Sequence, residues 1–276
     1  MSPYTVLVIM EKEIRDARKN RWFIVIGLLF GVLAMSLSLL GLSGLGNVGV
    51  AGFGRTAASL LNLVLLIVPL MGLLLGAISV VAEREQGTLM TLLAQPVTVN
   101  EVLLGKYLGS ACALTAAVLL GFGASGFVIA RYAGSQQIGD YMTLVFFTIL
   151  LGLAFLSLGF CISIFTRRHT MALGLALFTW FAFIFLSDLG LMGTAIVLKL
   201  SPSAIFWLVA INPAQSFKLA VVGELQKSFE TFGAVGMQAA DLFGEWFSVL
   251  LLGVMFAWIL IPLISALSFF KTRCID

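Results

Sequence analysis

Charged side chains make up only 11% of this 276-residue chain, less than half of the roughly 25% found in soluble domains. So little charge cannot keep a compact monomer in water, which excludes an ordinary soluble enzyme and a disordered tail. Histidine occurs once, as His169, and cysteine three times, as Cys112, Cys161 and Cys274. An odd cysteine count, at spacings that match no metal-ligand or disulfide pattern, excludes a secreted disulfide scaffold. The two cysteines within apolar runs are expected to be small packing residues. A net charge of +3 is too small to point to nucleic acid. What the chain has instead is hydrophobic residues, 61% of the total, with a mean hydropathy of +1.11. It reads as an all-α polytopic membrane protein forming a single membrane domain over residues 1–276. No cleavable signal peptide is expected, because the first apolar run follows a charged stretch and is too long for a signal core.

A spanning helix needs about 20 mostly apolar residues. Six stretches qualify: Trp22–Leu42, Ala57–Ala82, Val102–Ala130, Tyr141–Thr166, Thr170–Ser187 and Trp246–Phe270. Trp22, Tyr141 and Trp246 stand at span ends, where amphipathic rings meet the headgroups. An even number of spans puts both termini on one side. With the termini inside, the inner segments carry Lys12, Arg15, Arg18, Lys19, Arg21, Arg84, Lys106, Arg167, Arg168, Lys271 and Arg273. The outer segments carry Arg55, Arg131, Lys199, Lys218 and Lys227, three of them in one long loop that counts weakly. The positive-inside rule therefore predicts cytoplasmic termini.

Two further segments lie outside the spans. Over residues 3–21, Tyr4, Leu7, Met10, Ile14 and Ala17 recur at helical spacing among charges, which predicts an amphipathic helix in the inner interface. Residues 188–245 form an outer segment with short helices. Its apolar run Ala204–Ile211 is too short to span and ends at Asn212-Pro213, as an outer re-entrant or interfacial helix would. Glu230, Asp241 and Glu245 make the rest of this segment polar enough to face water.

No span carries an ionisable residue near its centre; the nearest are Asp188 and Lys106, toward helix ends. Ion-coupled carriers bind their coupling ion through such groups, so a secondary carrier is disfavoured. A membrane-embedded hydrolase is disfavoured because no paired base or metal set is present. No catalytic, cofactor-binding or metal-ligating residue is expected in this chain. His169 sits beside Arg167 and Arg168 at the inner boundary and reads as a headgroup contact. Gly27 and Gly31, Gly72 and Gly76, and Gly105 and Gly109 form G-x-x-x-G pairs, which let helices approach closely, within the chain or between subunits.

The informative stretch is E-R-E-Q-G-T-L-M-T-L-L-A-Q-P-V-T-V-N-E-V-L-L-G-K, from Glu83 to Lys106. Over residues 83–98 it reads as a charged turn at Glu83, Arg84 and Glu85, a bend at Gly87, a short helix started by Thr88, and a stop at Pro96. Gly87 permits a sharp turn, and the Thr88 hydroxyl is placed to bond free N–H groups at the helix start. Thr98 and Glu101 then form a T-x-x-E capping box before the third span. Leu89, Leu92 and Leu93 are expected on one face of the short helix, which is too small to bury them alone and wants either a protein partner or the lipid headgroups.

The run E-x-E-x-G-T, a Leu-Leu pair, a proline, then glutamate and Gly-Lys resembles the coupling-helix region of ABC-2 type transporter permeases. Six spans, an N-terminal interfacial helix and a long outer segment between the fifth and sixth spans resemble that family along the whole chain. Met90 stands where the family often has an acidic residue, and Asn100 where it often has arginine. The likeness is greatest to the permeases of transporters that support maturation of the copper centres of nitrous-oxide reductase. It implies a bacterial inner-membrane homodimer that is not itself an enzyme. It also implies a separate cytoplasmic ABC ATPase holding ATP and Mg, and a periplasmic accessory protein. Glu83, Arg84, Glu85, Gly87, Thr88, Leu89, Leu92 and Leu93 would then form the ATPase-coupling site. The chain has no ATP loop of its own: the only Gly-Lys, Gly105-Lys106, has Asn100 where the Walker A motif needs glycine and Tyr107 where it needs Ser or Thr. An ion-coupled carrier and a non-transporting membrane scaffold are the other readings.

Overall fold

The computed structural model describes residues 3–43, 50–95, 97–132, 135–190, 193, 202–226 and 246–274, and these are almost wholly helical. Helix α1 (Pro3–Lys19) precedes α2 (Arg21–Ser43) and α3 (Val50–Ser79). Two short helices, α4 (Val81–Glu85) and α5 (Thr88–Leu93), lead into α6 (Val99–Tyr132) and α7 (Ser135–Phe165). Helix α8 (His169–Phe181) continues through a π-helical turn at Ala182–Leu186. It is followed by α9 (Pro202–Ile211), α10 (Pro213–Gln226) and α11 (Phe247–Cys274).

Among the described residues, six helical segments are each long and apolar enough to cross a bilayer: Arg21–Gly41, Thr56–Glu85, Val99–Ala130, Ile138–Phe165, His169–Gly190 and Phe247–Phe270. They match the six expected spans, with boundaries shifted by a few residues. The capping box at the start of α6 forms as expected. The Thr98 N–H donates to Glu101 Oε2 at 2.9 Å, and the Glu101 N–H donates to Thr98 Oγ1 at 3.4 Å. Helices α9 and α10 are bent by 107° at Asn212, so the run that ends at Asn212-Pro213 does not continue as one straight helix.

The centre of the bundle is the α3–α7 pair. A Cβ on Gly72 would lie 2.6 Å from the Gly152 carbonyl oxygen, one on Gly76 2.5 Å from that of Leu156, and one on Gly159 2.6 Å from that of Leu73. Only glycine allows these two backbones to touch, and the contact buries both helices. Beside them, Phe30 of α2 packs edge-on against Phe122 of α6 at 5.3 Å, and Phe122 against Tyr141 of α7 at 5.7 Å. Tyr141 is therefore not a headgroup-level ring. It is buried, and its hydroxyl bonds the Phe122 carbonyl at 2.6 Å and Ser125. Its position, a turn inside its helix, put it among the core aromatics. Trp22 and Trp246 are exposed, as span-end rings should be.

The segment after α8 departs from a simple water-facing loop. Helix α10 buries Ala214, Phe217, Ala220 and Val221, because its apolar residues fall at helical spacing and find α7 and α11. Asn212 holds the bend: its side-chain amide donates to the Phe183 carbonyl (3.0 Å) and to Ser187 Oγ (2.7 Å), while Oδ1 accepts from the Ala214 N–H (2.9 Å). Phe183 and its carbonyl lie in the π-helical turn of α8, where the ordinary helical ladder is interrupted. Gln215 hydrogen-bonds Asp188, and Lys218 pairs with it at 3.5 Å. Glu230, Asp241 and Glu245 lie outside the described residues.

Candidate coupling site

The second candidate span, Thr56–Glu85, breaks at its basal end, the end that shares a side of the bundle with α1. Helix α3 stops at Ser79 and α4 resumes at Val81, leaving backbone groups free of the helical ladder. Each finds a partner from another helix. The Val80 and Val81 N–H groups both donate to Ser163 Oγ of α7, at 3.0 and 2.9 Å. The Ser79 carbonyl accepts from Lys106 Nζ of α6 at 3.2 Å.

Three successive side chains of α4 then reach four other helices. Glu83 turns inward. Its Oε1 lies 2.5 Å from Lys12 Nζ of α1 and 3.0 Å from Lys106 Nζ. Lys106 Nζ also meets Glu13 Oε1 of α1 at 2.5 Å, with the Lys106 side chain only 1% exposed. Arg84 donates to the Ile164 and Thr166 carbonyls at 3.2 and 2.7 Å, covering the C-terminus of α7. Glu85 Oε2 accepts the His169 N–H at 2.8 Å, at the N-terminus of α8. Both signs suit the helix dipoles they face: a cation at a C-terminus and an anion at an N-terminus.

The Glu83 cluster borders a polar cavity of about 500 Å³ whose walls include Lys12, Glu13, Asp16, Asn20, Lys106 and Ser110. Burial lifts the Glu13 carboxyl above its ordinary value, and the charge and hydrogen bond of Lys106 reduce the lift without cancelling it. Burial acts against the Lys12 ammonium, but the hydrogen bond and charge of Glu83, with Glu13 and Asp16 nearby, outweigh it and raise Lys12 above the ordinary lysine value.

Helix α1 is seated on α6 by the Gly105–Gly109 pair. A Cβ on Gly105 would meet Ile9 Cβ at 2.8 Å, and one on Gly109 would meet the Met10 carbonyl oxygen at 2.7 Å. The other two G-x-x-x-G pairs also pack within the chain, Gly72 and Gly76 against α7, Gly27 and Gly31 against Ala117 and Gly121 of α6. Nothing in the local sequence distinguishes this use from a subunit contact; α1 itself had to be placed.

Beyond α4, Gly87 takes a left-handed φ of 73°, the sharp turn expected there, and α5 begins at Thr88. The Thr88 hydroxyl does not cap α5. It donates back to the Glu83 carbonyl at 3.3 Å, because Gly87 occupies the cap position. The leucines do not share one outward face: Leu89 is 3% exposed and joins the core, Leu92 is half-buried, and Met90 stands out at 61% exposure. Leu89 follows the turn directly, so it points back at the bundle. The side chain of Leu93 lies outside the described residues; among the described side chains of α5 the outward apolar contact is Met90, which was not expected on that face. His169, read from sequence as a headgroup contact, is tied by its backbone to Glu85. Cys161 Sγ is 3.5 Å from Ser265 Oγ, while Cys112 is exposed instead of packed.

A helical membrane bundle with a broken span, a clamped N-terminal helix and a short protruding helix between the second and third spans defines a class. The family model for the ABC-2 family transporter protein matches residues 7–274, and the chain belongs to that family. It is 33% identical over 271 residues to the "Probable ABC transporter permease protein NosY" of Stutzerimonas stutzeri, covering 96% of this chain and 97% of that protein. It is 34% identical over 220 residues to the protein of the same name from Pseudomonas aeruginosa, covering 78% and 80%.

Proposed function

We propose that this chain is the NosY-type permease of a bacterial inner-membrane ABC transporter that serves maturation of the copper centres of nitrous-oxide reductase. Two copies pair in the membrane, and both termini lie in the cytoplasm, as the positive-inside distribution requires. A separate cytoplasmic ABC ATPase, which holds ATP and Mg, docks on α5. A periplasmic accessory protein receives the outward movement near α9 and α10. The chain carries out no chemistry itself.

The observation that supports this reading is the junction at Glu83–Arg84–Glu85. A push on the exposed tip of α5 is delivered in three directions at once: to α1 and α6 through Glu83, to the end of α7 through Arg84, and to the start of α8 through Glu85. Helix α8 runs on to its π-helical turn, where Asn212 links it to the α9–α10 hairpin. Transmission therefore needs two discrete arrangements of packed helices and no row of special residues. The family membership and the NosY relatives support the cargo system.

The test is purification of the tagged full-length chain in mild detergent, followed by complementation of a strain lacking it. A stoichiometric ATPase co-purifying, together with restored copper content of nitrous-oxide reductase, supports the proposal. Purification without any ATPase would refute the coupling role. Reporter fusions after residue 276 and near residue 228 should read cytoplasmic and periplasmic, respectively; a periplasmic C-terminus would refute the orientation.

A further inference from the structure

Along the outside of the bundle, α2 and α6 leave an apolar groove of about 790 Å³ that runs from α1 upward. Its floor is made of small residues: Gly27 and Gly31 from α2, and Ala113, Ala116 and Ala117 from α6. It extends along α6 from Cys112 to Ala124, about 18 Å at 1.5 Å per residue. That is slightly more than the ~15 Å of hydrocarbon in one leaflet. Arg18 of α1 forms part of its wall at the basal mouth. Arg18 is exposed and makes no ion pair among the described residues, and Lys19, Arg21 and the exposed ring of Trp22 stand next to it.

We infer that this groove is a binding site for one phospholipid with an anionic headgroup, its phosphate on Arg18 and one acyl chain laid between α2 and α6. The two parts of the site match the two parts of the ligand. The walls offer almost no polar atom, so they suit a hydrocarbon chain, and small side chains leave the width it needs. The mouth offers cations at headgroup depth, and a cation near an anionic lipid surface contributes measurably to binding. A second copy of the chain fits less well. A two-fold contact through this groove, with both mouths on the same side, would set Arg18, Lys19 and Arg21 of the two chains against one another. A bound lipid would wedge α1 and α2 at a fixed angle to α6, directly beside the Lys106–Glu13 clamp. That this lipid belongs to the cytoplasmic leaflet rests on the orientation proposed above. Lipid retention does not, so a misplaced terminus and an empty groove give different results.

The test is native mass spectrometry of the full chain, purified in mild detergent and titrated with phosphatidylglycerol or phosphatidylethanolamine. Wild type should retain one phosphatidylglycerol in preference to phosphatidylethanolamine. Ala116→Phe fills the groove from an exposed position and should lower retention of both lipids about tenfold, with the melting temperature unchanged. Arg18→Gln should keep phosphatidylethanolamine binding and lose about fivefold in phosphatidylglycerol binding. Arg15→Gln, on the same helix but outside the groove, should change neither. Equal retention by wild type and Ala116→Phe, or no preference between headgroups in wild type, would overturn the proposal. So would a Cys112–Cys112 disulfide joining two chains in native membranes, since the groove would then be covered by protein.

Discussion

Lys106→Met tests whether the cluster beneath α4 holds the proposed coupling site together. The ammonium is 1% exposed and is shared between Glu13 and Glu83, whose side chains are 11% and 14% exposed. Removing it leaves two carboxylates close together and away from water, with only Lys12 remaining on Glu83. Breaking a buried ion pair from one side costs about 3–5 kcal/mol, because the abandoned charge keeps its desolvation penalty. Glu13 bears most of this, since its Lys106 contact is lost outright, whereas Glu83 retains Lys12. Lys106→Met should therefore destabilise the chain by about 3 kcal/mol or more, and trypsin should cut α1 faster as the helix lifts off Gly105 and Gly109. Methionine keeps much of the buried length, so packing is a minor part of the loss. Adding Glu13→Gln and Glu83→Gln removes the unpaired charges and should recover most of the stability. The assay is denaturant unfolding in detergent micelles, followed by circular dichroism, for wild type, single and triple variants. A single variant within about 0.5 kcal/mol of wild type, the range of an ordinary surface change, would refute the reasoning. So would a triple variant no more stable than the single.

Three other outcomes are expected. Met90→Asp should release the ATPase in pull-down without loss of melting temperature, since an apolar anchor at an interface cannot be replaced by a carboxylate cheaply. Leu89→Asp should instead unfold the bundle, and Leu92→Asp, half-buried, should do some of each; a Met90→Asp chain that still binds ATPase at wild-type strength would show that α5 is not the docking helix. Glu85→Lys puts a cation at the N-terminus of α8, where cap and dipole effects are worth about 1 kcal/mol, and should leave ATPase bound while lowering substrate-dependent ATP turnover in reconstituted vesicles. The pH dependence follows from α1. Glu13 is held above its ordinary value, so its contribution to stability is present below the unfolded carboxylate value and is lost as pH rises through its higher folded value. Glu13→Gln should thus gain on wild type as pH rises above the ordinary carboxylate value. Lys12, also raised, contributes fully below the ordinary lysine value and loses its hold only as pH climbs past it. Melting curves of wild type, Glu13→Gln and Lys12→Gln across pH would show a reversed slope if either sign were wrong. The groups facing these two are Lys106 of α6, Glu83 of α4 and Asp16 of α1 itself.

Hydropathy and local chemistry decided a good deal of this protein before any helix was placed. The six spans, the capping box at Thr98 and Glu101, the turn at Gly87 and the stop at Asn212-Pro213 were all legible. Each depends on the bilayer's thickness or on residues within one helical turn of one another. The segment proposed for coupling stood out in the sequence, but its wiring did not. Glu83 and Glu85 read alike in sequence, two carboxylates flanking an arginine. One turned inward to Lys12 and Lys106, and the other capped a helix more than 80 residues away. Leu89 and Met90 exchanged their expected roles because the left-handed turn at Gly87 aims the first residues of α5 back at the bundle. Tyr141 left the headgroup level for the core because Phe122 and Ser125 of a different helix were there to receive its ring and hydroxyl. The G-x-x-x-G pairs announced close approach without naming the neighbour. Periodicity and hydropathy report each helix's relation to solvent and lipid. Which charged side chain meets which, and which glycine lets α1 lie against α6, depends on contacts between residues far apart in the chain, and only the packed bundle determines those.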